Sequence, residues 1–284
     1  MKIIKNLEIK LILKMLSIVF CTNSFAEINH LPLVPLPSVI DYTHGNGWSG
    51  GVGFKAESAA VFHGSNHYEI YIKPEGAVQW RNGDNIFFWE GFDLNYAELG
   101  WRGLVKEKWL LEAGARHEIV IPSSRSETAG IDQLPHRGSH ILGFFETKYS
   151  IGNGWRNWVS GRFMGGSNKY GWQAKVEAGH SFSRGLDNNK VEVILFSTFG
   201  NKDNLNNYFG VSEFDSTVSG LQSINLEGGY RSSGLNIIYR ESMSKNIQIT
   251  AKAGIELYNS EIEKSDLVGD ASETSAEVSV VWTF

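Results

Sequence analysis

Charged side chains recur two or four residues apart in several stretches of this 284-residue chain. Lys73 and Glu75 lie in YEIYIKPEGAVQW, Glu112, Arg116 and Glu118 in WLLEAGARHEI, Lys175 and Glu177 in YGWQAKVEAGHSF, and Lys252 and Glu256 in NIQITAKAGIEL. Residues two apart point to the same side of a β-strand, so each stretch predicts a polar face with ionisable groups in reach of one another. Lys55, Glu57, Glu69, Glu146, Lys148, Arg162 and Arg240 fall in the same phase of their own stretches. Both signs are interleaved. A selective pore is expected to carry a ring of one sign; interleaved charges pair with each other and with water instead. The chemistry these residues predict is ion pairing inside an aqueous lumen rather than catalysis.

The eight histidines offer no competing pattern. His117 falls in phase with Ala115 and Ile119, and His180 with Ala178 and Phe182, so both are predicted on apolar faces. His140 opens a strand, His63, His67 and His136 sit in or beside loops, and His30 and His44 precede the strands. No two share a face at metal-ligand spacing, and none has a serine or aspartate partner in register. There is no glycine-rich phosphate loop leading into a helix, no Cys/His cluster and no nucleophile elbow. No catalytic residue, cofactor or metal is therefore assigned. The glycines of GGVG (50–53) fall within a strand pattern, where they serve curvature or close packing.

The faces opposite the charges are apolar. Tyr68, Ile70, Ile72, Pro74, Val78 and Trp80 share one, and Ile247, Ile249, Ala251, Ala253, Ile255 and Leu257 another. The closing stretch AEVSVVWTF alternates in the same way, with Ala276, Val278, Val280, Trp282 and Phe284 on one side. Such strands build either a soluble sandwich, with apolar faces packed together, or a membrane barrel, with apolar faces in lipid and charges in the lumen. Aromatics at segment ends (Tyr68 with Trp80, Trp172 with Phe182) and segments of about ten residues or more favour the barrel. A mean hydropathy of −0.21 is too polar for a helical membrane bundle but suits half-apolar strands. A net charge of −5 and the absence of a basic stripe exclude a nucleic-acid binder.

The first 26 residues read as a secretory leader: Lys2, Lys5, Lys10 and Lys14, an apolar core over 15–20, and Ser-Phe-Ala before a cleavage point near Ala26. The single cysteine, Cys21, lies inside it, so the exported chain has no disulfide. Residues 27–46 are expected to form an N-terminal periplasmic segment and residues 47–284 the barrel. About twelve strands are predicted, at 48–62, 68–81, 85–90, 92–104, 107–120, 139–151, 155–165, 170–184, 190–200, 233–242, 246–258 and 273–284. FFWEGFDLNY is the ambiguous part, because one bent strand there would leave an odd count. Residues 81–84, 150–155 and 183–189 would be periplasmic turns, and 122–138, 201–222 and 259–272 outer loops. No helical period is found after residue 46. The fold class is thus all-β: one antiparallel up-and-down transmembrane barrel in the outer-membrane lipid of a Gram-negative envelope.

NNYFGVSE (206–213), followed by a strand pair and a terminal Phe, resembles the MipA/OmpV family of outer-membrane proteins. GSNHY (64–68) resembles that family's G-S-D-x-Y loop, and SDLVGD (265–270) stands where its last outer loop has a Ser-Pro-hydrophobic-Val motif, with Asp266 in place of the proline. The resemblance implies an outer-membrane barrel without catalysis, acting as a scaffold between a periplasmic murein hydrolase and a murein synthase. Other members are associated with osmotic adaptation and host-surface adhesion. Tyr208 and Phe209 would anchor the long outer loop at the rim, with Gly210 allowing the turn and Val211 beside it. Val278, Val280, Trp282 and Phe284 fit the pattern read by the barrel-assembly machinery. The expected function is a scaffold or interaction protein; the alternatives are a narrow channel for small solutes, a surface adhesin and, last, an outer-membrane hydrolase.

Overall fold

The computed structural model describes residues 46–60, 65, 68–93, 96–105, 108–119, 139–152, 155–166, 170–183 and 190–284. The expected leader, residues 27–45, the whole of the 122–138 connection and residues 184–189 lie outside these. Twelve antiparallel strands close into a barrel, each paired with its sequence neighbours and β12 with β1. They are β1 (Gly47–Ala60), β2 (Tyr68–Asn82), β3 (Asn85–Asp93), β4 (Tyr96–Val105), β5 (Trp109–Ile119) and β6 (Ser139–Ile151). Then come β7 (Asn157–Gly165), β8 (Trp172–Ser183), β9 (Lys190–Gly200), β10 (Gly229–Ser244), β11 (Ile247–Tyr258) and β12 (Ser272–Thr283). FFWEGFDLNY is not one strand: β3 and β4 turn back on each other between Asp93 and Tyr96, which keeps the count even.

Alternation fixes which side each residue faces. Outward-pointing Trp48, Ile70, Ile72 and Ile141 are each at least 72% exposed. A water-facing patch of that extent would drive aggregation, whereas hydrocarbon solvates it without cost. Rings frame the apolar band. Trp48 lies opposite Trp80, Trp80 opposite Phe87, and Phe87 opposite Trp101. Trp109 and Tyr149 are 4.6 Å apart on the same rim. At the other rim Phe163 stacks on Trp172 at 5.6 Å and Phe199 meets Tyr230 at 5.9 Å. Pro74 is tolerated because β3 pairs with β2 only over residues 77–82, so no ladder bond from β3 is lost there.

The closing seam joins residues 51–58 of β1 to 283–276 of β12. Beyond it, Gly50 N–H donates to Phe284 O and Phe284 N–H to Gly50 O, both at 3.0 Å. The GGVG glycines serve this close approach, since a Cβ on Gly53 would stand 2.0 Å from Val280 O. Trp282 and Phe284 point outward with their rings 5.4 Å apart.

The end of the barrel that holds the Gly50–Phe284 pair carries short turns, and the opposite end carries the long connections. Two of those are folded. Residues 201–228 contain α1 (Lys202–Phe209) and α2 (Glu213–Ser219), and residues 259–271 contain a single 3₁₀ turn at Ile262–Lys264. The expectation of no helix is corrected here. Both helices are too short to show a period, and their caps make them: Asn201 Oδ1 accepts from Asn204 N–H, and Ser212 Oγ accepts from Asp215 N–H. Gly220 closes α2 in the left-handed region at φ 75°.

Candidate functional site

The lumen divides into three layers. At the long-loop end, α1 folds down into the mouth. Leu205, Tyr208 and Phe209 are buried against Leu142 of β6, Tyr170, Tyr258 of β11 and Ile262. The Tyr170 and Tyr208 hydroxyls are 2.7 Å apart, and the Arg231 guanidinium lies over the rings of Tyr208 and Phe209 at 5.1 and 5.2 Å. Tyr208 and Phe209, expected at the rim, have their side chains buried inside the mouth. Gly210 is not a left-handed turn residue: its φ is −79°, and a Cβ there would stand 2.6 Å from Asn206 Oδ1. Its smallness lets the chain lie against the end of α1.

The stretches 206–213 and 265–270 meet in this cap. Ser265 Oγ donates to Phe209 O at 2.6 Å, Gln222 N–H donates to Asp266 Oδ2 at 2.6 Å, and Leu267 packs on Val211. Asp266 therefore accepts a backbone bond from the other loop. Val211 also forms an isolated bridge with Ile224. Of the GSNHY stretch, Tyr68 reaches β12, its hydroxyl accepting from Thr274 N–H at 3.0 Å.

The middle layer holds the charges. Arg102 is paired with Glu112 at 2.5 Å and with Glu90 at 3.4 Å, and its guanidinium lies 4.4 Å from the Phe88 ring centre. Arg162 of β7 reaches Glu98 of β4 at 2.6 Å, crossing the lumen past β5 and β6, and Glu146 at 3.2 Å. Arg116 is 3.9 Å from Glu98, and Lys148 is 3.0 Å from Glu146. On the other walls Lys175 pairs with Glu177 at 2.6 Å and Lys73 with Glu57 at 2.9 Å. Glu256 takes a hydrogen bond from Ser232 and lies 3.9 Å from Arg231. Glu75 and Lys252 also face inward. Glu118 pairs through its backbone with Tyr96 and His140, and its side chain lies outside those described. Sequence reasoning missed Glu90, Glu98, Arg102, Glu192 and Arg231. Inward Phe88 and Ile86 blur the alternation around Glu90, inward Ile194 does so around Glu192, Gly100 interrupts the polar phase between Glu98 and Arg102, and a bulge between Tyr230 and Ser232 conceals Arg231.

The third layer, at the short-turn end, is apolar. Trp155, Trp158 and Leu110 are buried with Ile194, and Ile238 packs on them. Trp155 holds φ 55°, among the described residues the one non-glycine in the left-handed region. Trp158 Nε1–H, Ser181 Oγ–H and Arg240 Nη1–H all donate to Glu192, at 2.9, 3.2 and 3.1 Å. Between the two apolar layers lies a cavity of about 580 Å³ with a mainly charged lining.

Of the described histidines, His140 lies beside the upper layer, its ring 5.4 Å from Tyr170. His180 faces outward and contacts Asn157 Oδ1 through Nδ1 at 2.6 Å. Among the described residues no three His, Cys, Asp or Glu side chains are placed to hold a metal ion.

A closed twelve-stranded barrel with a lipid-facing aromatic girdle, a folded cap and a paired-charge lumen is a transmembrane β-barrel of the outer-membrane type. Residues 51–284 match the family described as MltA-interacting protein MipA, and the chain belongs to that family. No curated protein matches the sequence significantly. Among solved structures, the NanC porin in a rhombohedral crystal form is similar at 8% identity, covering 81% of this chain and 98% of that one, with a TM-score of 0.45. The KdgM porin is 10% identical over 82% of this chain and 99% of that one, at a TM-score of 0.42. The toluene transporter TbuX of Ralstonia pickettii is 10% identical over 84% and 90%, also at 0.42.

Proposed function

We propose that this chain is a non-enzymatic scaffold of the outer membrane that holds a murein transglycosylase of the MltA kind at its periplasmic face and links it to murein synthesis. The partner class comes from the family's description. The observation that carries the scaffold reading is the constricted lumen. Arg162 and Glu98 bridge β7 and β4 over one side of it, and apolar clusters narrow it at both ends. With no wide bore, the barrel acts through the surfaces it presents. By the usual orientation of such barrels the short-turn end is periplasmic, which puts residues 81–84, 150–155 and 183–189 in front of cell-wall enzymes.

A second reading, a narrow path for small solutes, is favoured by one observation. Lys55 and Lys73 on β1 and β2 keep side-chain exposures of 21% and 20%, and Lys175 on β8 across the barrel keeps 37%, so charged groups on both sides of the lumen reach water. Photocrosslinking in cells from the three turns tests the first reading. It expects capture of a murein transglycosylase or synthase there, and no capture from turns or outer loops overturns it. Capture from the outer loops alone would support an adhesin. Planar-bilayer recording tests the second reading: discrete conductance that shifts on Arg116→Gln supports it, and silence at high protein load removes it.

A further inference from the structure

We infer that the cavity between the two apolar layers is a binding site for a small oxyanion, a phosphate or carboxylate group on a molecule that fits within about 580 Å³, and that Lys252 is its anchor. Lys252 lines that cavity. Among the described residues its ammonium has no hydrogen-bond or ion-pair partner within 4.0 Å, unlike the other lumen lysines, Lys55, Lys73, Lys148 and Lys175. The carboxylate opposite it in the β-ladder is Glu277, but Glu277 lies 3.9 Å from Lys55. The charged groups that act on Lys252 are Glu277, Lys175, Lys55 and Glu177. Glu177 is already held by Lys175 at 2.6 Å. Lys55 also holds Glu57 at 3.0 Å, so its own charge is met there, and Lys252 is left facing the cavity without a carboxylate within 4.0 Å among the described residues.

A bare ammonium within a barrel wall is costly unless an anion compensates it. The groups next to Lys252 suit oxygen ligands. Gly254, one lumen position along β11, faces Asn236 and Ser275 across its two ladders. A Cβ at Gly254 would stand 2.4 Å from Asn236 Oδ1 and 3.0 Å from Ser275 Oγ, so glycine keeps this pair of neutral hydrogen-bonding groups close beside the lysine. Both Asn236 and Ser275 line the cavity. An ammonium beside an amide and a hydroxyl matches an oxyanion better than a halide, because each can donate to a separate oxygen. The inference is independent of the scaffold reading: it concerns the lumen, and capture of a partner at the turns bears on neither its success nor its failure.

The test is calorimetric titration of the purified full chain in detergent with inorganic phosphate and with glucuronate, at fixed ionic strength set by chloride. Saturable binding of one equivalent is expected, at least tenfold weaker in Lys252→Met and retained in Lys252→Arg. Lys264→Met, on the exposed 3₁₀ turn, should bind as the parent does. No saturable binding by the parent, or equal binding by Lys252→Met, overturns the site. Equal competition by chloride reduces it to an unspecific cation and overturns the oxyanion assignment. If Lys252→Met fails to fold, Glu277→Gln serves instead. Removing the carboxylate opposite Lys252 should tighten phosphate binding severalfold, and an unchanged affinity counts against the site.

Discussion

Arg102 shows how a charge survives inside this barrel. Its guanidinium is shared between Glu112 and Glu90 and rests on the Phe88 ring, with 1% of the side chain exposed. Buried ion pairs add little net stability, because desolvation offsets their attraction, but removing one partner strands the other. Arg102→Met should therefore destabilise the barrel by about 3–5 kcal/mol. Replacing all three groups, as Arg102→Met with Glu90→Gln and Glu112→Gln, should restore stability to within about 1–2 kcal/mol of the parent, since no unpaired charge remains. Urea unfolding in vesicles, followed by tryptophan fluorescence, measures both. Equal loss in the single and triple variants would show that Arg102 contributes packing rather than charge balance. The single variant also bears on why this cluster was hard to read in the sequence. Lys175 and Glu177 announce an inward face because Gln173 and Ser181 continue their phase, with Gly179 the one non-polar step between. Glu90 sits in phase with Phe88 and Ile86, so periodicity alone assigns its face to neither water nor lipid.

The elements divide in the same way. The strands were legible because lipid on one side and a polar lumen on the other impose period two for the full length of a crossing, which gives ten or so residues of consistent signal. The cap was not, because α1 and α2 are eight and seven residues long and are held by side chains distant in sequence. Asn206 is the clearest case. Its Nδ2 donates to Leu226 O at 2.7 Å and to Lys202 O at 2.8 Å, and its Oδ1 accepts from Leu226 N–H at 2.8 Å. One amide side chain thus joins the helix to the returning segment as a strand neighbour would. The local clues were the caps, Asn201 before α1 and the Ser212–Gly220 bracket around α2, and these set the ends of a helix without saying where it packs. Asn206→Ala removes three hydrogen bonds worth about 1 kcal/mol each. The loss should be confined to the cap, because the barrel ladders do not depend on it. Amide exchange over residues 202–226 should speed up by one to two orders of magnitude while strand amides stay protected. Protection lost throughout would mean that the cap and the barrel unfold as one unit.

For the molecule as a whole, the critical feature is closure, and closure rests on one seam. Eleven of the twelve strand pairs join neighbours in sequence; the pair of β1 with β12 joins the two ends of the barrel. Its last rung is the reciprocal backbone pair between Gly50 and Phe284, and Gly50 is small enough for the Phe284 ring to lie across it, 3.1 Å from where a Cβ would be. An unclosed edge in hydrocarbon leaves N–H and C=O groups with no water to bond, at several kcal/mol for each group. Deleting Phe284 removes both bonds of that rung and one member of the outward series Val278, Val280, Trp282 and Phe284. The cost at equilibrium is modest, because the eight pairs from Gly51–Thr283 to Ser58–Ala276 remain. The larger effect is expected in assembly, where the closing strand must be recognised and registered against β1 before the barrel leaves the aqueous side. The deletion should leave export intact and lower the folded, heat-modifiable fraction in outer membranes severalfold, while barrel already folded in vitro should unfold near the parent's urea midpoint. Normal assembly of the deleted chain would place the recognition signal elsewhere on β12. A lowered midpoint with normal assembly would make Phe284 a structural lock rather than a signal.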